Sequence, residues 1–294
     1  MSCFPRTLVV LVLLVSADAL ADSAIYKGYA DLSGGQVHYV TAGEGDVLLL
    51  LHQAPLSHAE FLEIIPTLAE HYKVIAWDAP GHGNSYIPPI EYEVNDYIEV
   101  LGELVEHLGV ERAHVVGNHS GSAFAREFAA NFSDKTGRVV LTGSARQPPN
   151  PKVEMTKAKE FLAQPYSREL SMDKNGDFLP STWERYLTLA SPDVSLDDVL
   201  VPFVIGLDAR TKPYDLHLAV FRYKGWADPA SITAPILLIS GADDFFVTME
   251  AMEYTCGLYP NCNVHPLIES AGAFLPLSQP DIYAAAILEF LGGE

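Results

Sequence analysis

Apolar positions along the chain follow two alternating patterns. Short continuous runs mark strands buried on both faces: "DVLLLLH" (46–52), "KVIAWD" (73–78), "AHVVGN" (113–118), "GRVVLTGSA" (137–145) and "APILLISG" (234–241). A further strand falls near "CNVHPLI" (262–268), and "GQVHYVTAG" (35–43) alternates and then turns. Between these runs the apolar spacing is helical, in "AEFLEIIPTLAEHY" (59–72), "VNDYIEVLGELVEHLG" (94–109, ending in Gly109), "SAFAREFAANF" (122–132), around 248–257, and in "DIYAAAILEFL" (281–291). Strands alternating with helices predict an α/β fold: a mostly parallel twisted sheet with helices on both faces. The alternation breaks after Ala145. "RQPPNP" (146–151) is a loop signal, and 152–228 carries helical segments without a clear strand. The expected organisation is a core of 22–145 and 229–294, with a helical cap inserted at 146–228.

The first 21 residues stand apart. Arg6 gives a short positive start, "LVVLVLLV" (8–15) is an apolar run too short to span a bilayer, and "ALA" (19–21) is a small-x-small cleavage pattern. These features read as a secretory signal peptide, against the alternative of a buried N-terminal strand. The expected location is secreted or periplasmic, with no membrane association after the leader is removed. The net charge of −20 survives cleavage, because 1–21 contains one cation, Arg6, and one anion, Asp18. That charge argues against nucleic-acid or anionic-lipid partners. Cys3 leaves with the leader. Cys256 and Cys262 remain, six residues apart, as either a disulfide or two reduced thiols.

One turn carries candidate chemistry. "VVGNHSG" (115–121) joins a strand to a helix through small residues, as in the G-x-S-x-G turn that presents a nucleophilic serine. Gly117 and Gly121 hold the glycine positions, His119 stands between them, and Ser120 comes one place late. Around this turn the chain resembles the α/β-hydrolase superfamily, of the fold-1 type, from about residue 25 to its end. "LLLLHQAPLSHAEF" resembles the strand and oxyanion loop, and "VIAWDAPGHGNS" the Asp-x-Pro-Gly-x-Gly-x-Ser turn. "HVVGNHSGSAFAREFAANF" resembles the nucleophile elbow, "ILLISGADDFFVT" the strand ending in the acid, and "ESAGAFLPLSQPDIYAAAILEFL" the histidine loop and last helix.

The resemblance sets a register, and with it an atypical triad. Placing His119 at the nucleophile position keeps Glu127 and Ala129 in step with the family's helix. A one-residue shift to Ser120 breaks that step. Ser120 then follows the nucleophile position, with its backbone N–H rather than its hydroxyl facing the oxyanion site. Ala273 in "GAF" stands where the family has its histidine. Asp244, or alternatively Asp243, supplies the acid. Gln53 replaces the glycine after His52, beside the oxyanion loop. His52 is expected to support that loop, His58 to begin a solvated helix, and His82 to lie at the surface. The resemblance implies an oxyanion hole from the N–H groups of Ala54 and Ser120.

Two readings follow. In one, His119 fills the place vacated at Ala273, pairs with Asp244, and acts as a general base on a small activated ester, thioester or lactone. In the other, the scaffold is catalytically inactive and binds a small molecule. No cofactor is expected. No metal is expected either, since the family uses none here and His119, His52 and Asp244 lack metal-ligand spacing. The cap aromatics Trp183, Tyr186, Phe203 and Trp226 are candidates for lining a pocket, or for plain core packing.

Overall fold

The computed structural model describes residues 24–144, 150–152, 173–209, 212–214 and 216–292. The segment 1–21 read as a leader, and much of 146–172, lie outside the described residues.

Among the described residues, eight strands form one sheet: β1 (Tyr26–Leu32), β2 (Gly35–Ala42), β3 (Val47–Leu51), β4 (Lys73–Trp77), β5 (Ala113–Asn118), β6 (Thr136–Thr142), β7 (Ile236–Ile239) and β8 (Cys262–Val264). Their order is β1-β2-β4-β3-β5-β6-β7-β8. The first two pairings in that order, β1 with β2 and β2 with β4, are antiparallel, and the rest are parallel. The five apolar runs become the parallel centre, as their burial on two faces requires. Side chains alternate across it. Leu49 and Leu51 join one core with Val115, and Leu48 and Leu50 join the opposite core with Val116.

Helices cover both faces. One side carries α1 (Ile65–Ala69) and, near the C-terminus, the helix Pro280–Gly292. The other carries α2 (Val94–His107) and α3 (Ser120–Asn131). The expected helix 59–72 is divided into a 3-10 turn, His58–Phe61, and the short α1. Pro66 is the reason: it has no N–H to continue a helix from the preceding turn but fits the first turn of a new one.

The next helices are α4 (Phe178–Leu189) and α5 (Leu196–Ala209), which pack on each other and on the region of Leu56 and Phe274, and α6 (Leu216–Arg222), which packs against α2 and α3. Trp183, Tyr186 and Phe203 pack with Leu56 and Phe274. Trp226 packs elsewhere, with Arg126 of α3 over its ring. Then come α7 (Met249–Cys256), α8 (Leu275–Ser278) and α9, the helix Pro280–Gly292 named above. A disulfide joins Cys256 at the end of α7 to Cys262 at the start of β8.

Candidate active site

The chemistry-bearing residues gather where the parallel strands end. His52 follows β3, Asp78 follows β4, His119 follows β5, Gly143 follows β6, and Asp244 lies in the loop after β7. In open α/β sheets this edge is where ligands bind.

His119 occupies the tip of the elbow at φ 46°, ψ −106°, and Ser120 is the first residue of α3. A positive φ in a β-carbon-bearing residue costs on the order of 1–3 kcal/mol. The turn is held in place from several directions. His119 N–H donates to the Thr142 carbonyl at 2.8 Å. Ser122 Oγ donates to the carbonyls of Gly117 (2.6 Å) and Thr142 (2.8 Å). A β-carbon on Gly121 would stand 1.9 Å from the Leu51 carbonyl oxygen, and one on Gly117 2.3 Å from that of Gly121. Only glycine permits α3 to approach β3 this closely.

The imidazole of His119 reaches the loop after β7. Its Nε2 lies 3.1 Å from Asp244 Oδ2; the histidine side chain is 14% exposed and the aspartate 2%. Asp244 is fixed by N–H donation from Phe246 to Oδ1 (3.0 Å) and by Ser240 Oγ on Oδ2 (3.3 Å). Asp243 instead accepts from Ser191 Oγ at 2.6 Å. The ring of His119 lies against Gly143, which has φ +64°; a β-carbon there would sit 2.7 Å from His119 Nε2. Gly143 was not singled out from sequence, although "LTGSA" ends a strand with the one residue that needs no room.

The oxyanion loop departs from expectation. Ala54 N–H donates to Ser120 Oγ at 2.7 Å, so the Ser120 hydroxyl, expected to be turned from this loop, meets it and takes up the Ala54 N–H expected to face an oxyanion. His52 accepts from Ala79 N–H at Nε2 (3.0 Å) and holds the Gln53 carbonyl through Nδ1 (2.9 Å). Burial lowers its pKa to about 3, with His82 adding to the effect, so it stays neutral and braces the loop. Gln53 turns away from the loop toward Glu60 Oε1 (2.7 Å) and the Ala273 carbonyl (2.9 Å). Both residues shape the site from behind.

Ala273 is buried, and its N–H donates to Leu189 at the end of α4 (2.8 Å). The loop that carries the family's histidine is thus fastened to the helix above it.

Two histidines expected at the surface are buried. His58 donates through its backbone N–H and Nδ1 to Asp78 Oδ1, each at 2.8 Å. His38 Nδ1 (2.8 Å) and Asn84 N–H (2.9 Å) fill Oδ2. Burial pushes the Asp78 carboxyl up, but the His38 and His58 bonds outweigh it and hold the pKa well below the usual range. His82 packs its ring 5.5 Å from that of His52. The turn folds inward around Asp78, so His82 is covered.

Residues 46–182 match the alpha/beta hydrolase fold family. The sheet order, the strand-end site and this match agree. The chain has the α/β-hydrolase fold. The soluble epoxide hydrolase of Corynebacterium sp. (strain C12) is 38% identical over 112 residues, 38% of this chain; the match spans only 39% of that relative's length. A 2-hydroxy-6-oxononadienedioate/2-hydroxy-6-oxononatrienedioate hydrolase of Paraburkholderia phymatum is 29% identical over 92% of this chain and 97% of its own. Among solved structures, a carboxylesterase from Bacillus subtilis superposes with a TM-score of 0.74 at 20% identity, over 92% of this chain and 93% of its own, a likeness of fold. Hydrolases of small molecules are thus among its relatives.

Proposed function

We propose that this α/β-hydrolase-fold protein hydrolyses a small activated ester, thioester or lactone with His119 and Asp244 as a general-base dyad. The supporting observation is the 3.1 Å approach of His119 Nε2 to Asp244 Oδ2 at the elbow tip. With the Nε2 proton held by the carboxylate, the lone pair resides on Nδ1. Nδ1 takes a proton from water, and the water oxygen forms the new bond to the substrate carbonyl carbon. The carbonyl π pair moves onto oxygen. Ser120 Oγ, already accepting from Ala54 N–H, has its own proton to donate to that oxyanion. When the tetrahedral species collapses, the imidazolium returns the proton to the leaving group. Positioned acid–base catalysis of this kind contributes about 10²–10⁴-fold, which is why the substrate must be activated.

The competing reading is a small-molecule binding scaffold, favoured by the absence of serine at 119 and of histidine at 273. A panel of activated esters, thioesters and lactones separates the two. The dyad reading expects turnover that His119→Ala removes; ligand binding without turnover in either protein refutes it.

We also propose export. The leader-like pattern of 1–21 and the Cys256–Cys262 disulfide, a bond that persists in oxidising compartments, support it. N-terminal sequencing of the mature protein should begin at Asp22. An intact Met1 on the active protein refutes it.

A further inference from the structure

Glu60 is fully buried and takes no part in the chemistry above. Three N–H donors converge on its carboxylate: Gln53 N–H on Oε2 at 2.9 Å, and Gln53 Nε2 (2.7 Å) and Asn118 Nδ2 (2.5 Å) on Oε1. Both amides also reach the Ala273 carbonyl, at 2.9 Å from Gln53 and 3.5 Å from Asn118. One side chain therefore ties together the loop before Ala54, the residue before His119, and the loop holding Ala273.

We infer that Glu60 is a positioning residue of this site, clamping Gln53 and Asn118 as a carboxylate and favouring the charged form of His119. Among the described residues its hydrogen-bond partners are three donors and no acceptor, the arrangement an ionised carboxylate requires. Asn118 Oδ1 is buried without a hydrogen-bond partner, so the amide is oriented for the carboxylate at the expense of its own oxygen. A protonated Glu60 would have a hydrogen to donate, and turning the Asn118 amide would present Oδ1 to receive it. The state of Glu60 is thereby coupled to the residue that precedes His119.

The titratable groups that act electrostatically on Glu60 are His119 at the elbow and Tyr283 on α9, and His119 in turn meets Asp244 at 3.1 Å. Burial raises the Glu60 pKa to about 7, against the lowering pull of Gln53, Asn118 and His119. Glu60 therefore changes charge in the range where an imidazole does. Its effect on turnover rests on the dyad reading above. Its effect on the titration of His119 does not.

The test follows the His119 Cε1 and Glu60 Cδ resonances by NMR titration of the full chain. In the wild type the two should titrate as a coupled pair. In Glu60→Gln the His119 midpoint should fall by on the order of one pH unit, because the neighbouring anion that favours imidazolium is gone. Glu60→Asp should recover part of that shift. The acid limb of the kcat/KM profile should move the same way. An unchanged His119 midpoint in a folded Glu60→Gln overturns the inference. Should that variant fail to fold, the wild type decides: a Glu60 resonance titrating in one step in the ordinary carboxylate range, independent of His119, overturns it equally. A shifted midpoint in a protein that turns over no substrate supports the role of Glu60 and removes the dyad reading.

Discussion

At the scale of the residue, the site is organised by what His119 is allowed to do. Its backbone is strained, its ring lies flush against Gly143, and its Nε2 faces a buried carboxylate. Gly143→Ala places a methyl group where the ring now sits and also a β-carbon at positive φ. We expect kcat/KM to fall about 10²-fold, the lower end of what a displaced general base loses, and stability to fall by about 1–2 kcal/mol. Unchanged kinetics for Gly143→Ala would mean the ring position seen here is not the working one. The elbow register was legible in the sequence because two glycines and a helix of fixed period bracket it. The Glu60 cluster was not. A glutamate in a helical pattern reads as solvated, and its partners are 7 and 58 residues away, out of reach of any local pattern. His82 is buried for a related reason: its turn is held inward by bonds from Asn84 N–H to the Asp78 carboxylate and from Ser85 Oγ to the Asp78 carbonyl, which no spacing announces.

At the scale of the element, the sheet was legible and its trimmings were not. Short continuous apolar runs bounded by turn residues and alternating with helical patterns read as strands covered on both sides, so the five central strands were readable directly. β1, "YKGYADL", has a largely exposed burial pattern and lacks such a run. It exists because β2 offers it an antiparallel partner along its whole length. The divided helix after β3 turns on Pro66. The division has a consequence for the site, since it puts Glu60 in a 3-10 turn whose side chain points back under the oxyanion loop. The end of α4 is likewise more than a cover. Leu189 accepts from Ala273 N–H and stands 2.4 Å from where a Gly272 β-carbon would be, and Ser191 just beyond it binds Asp243. The end of α4 is therefore fastened to both the Ala273 loop and the loop of Asp243.

At the scale of the molecule, two buried carboxyls set opposite pH dependences. Asp78 has a depressed pKa, so its contribution to stability is present above the unfolded value and is lost as pH falls through the folded one. Glu60 has a raised pKa of about 7, so its contribution is present below the unfolded value and is lost as pH rises through about 7. A chain of net charge −20 also repels itself more as the last carboxyls ionise. The protein should be most stable on the acid side of neutrality. Its melting temperature should fall between about pH 6 and pH 8, and Glu60→Gln should flatten that fall. A wild-type melting temperature that rises across this interval would contradict the assignment. The central claim, however, concerns catalysis, and one ratio tests it most directly: kcat/KM for the best activated ester, wild type against His119→Gln, at a pH where imidazole is neutral. The dyad predicts a loss of about 10²–10⁴-fold with the fold intact. Retention of wild-type turnover by a folded His119→Gln would contradict it.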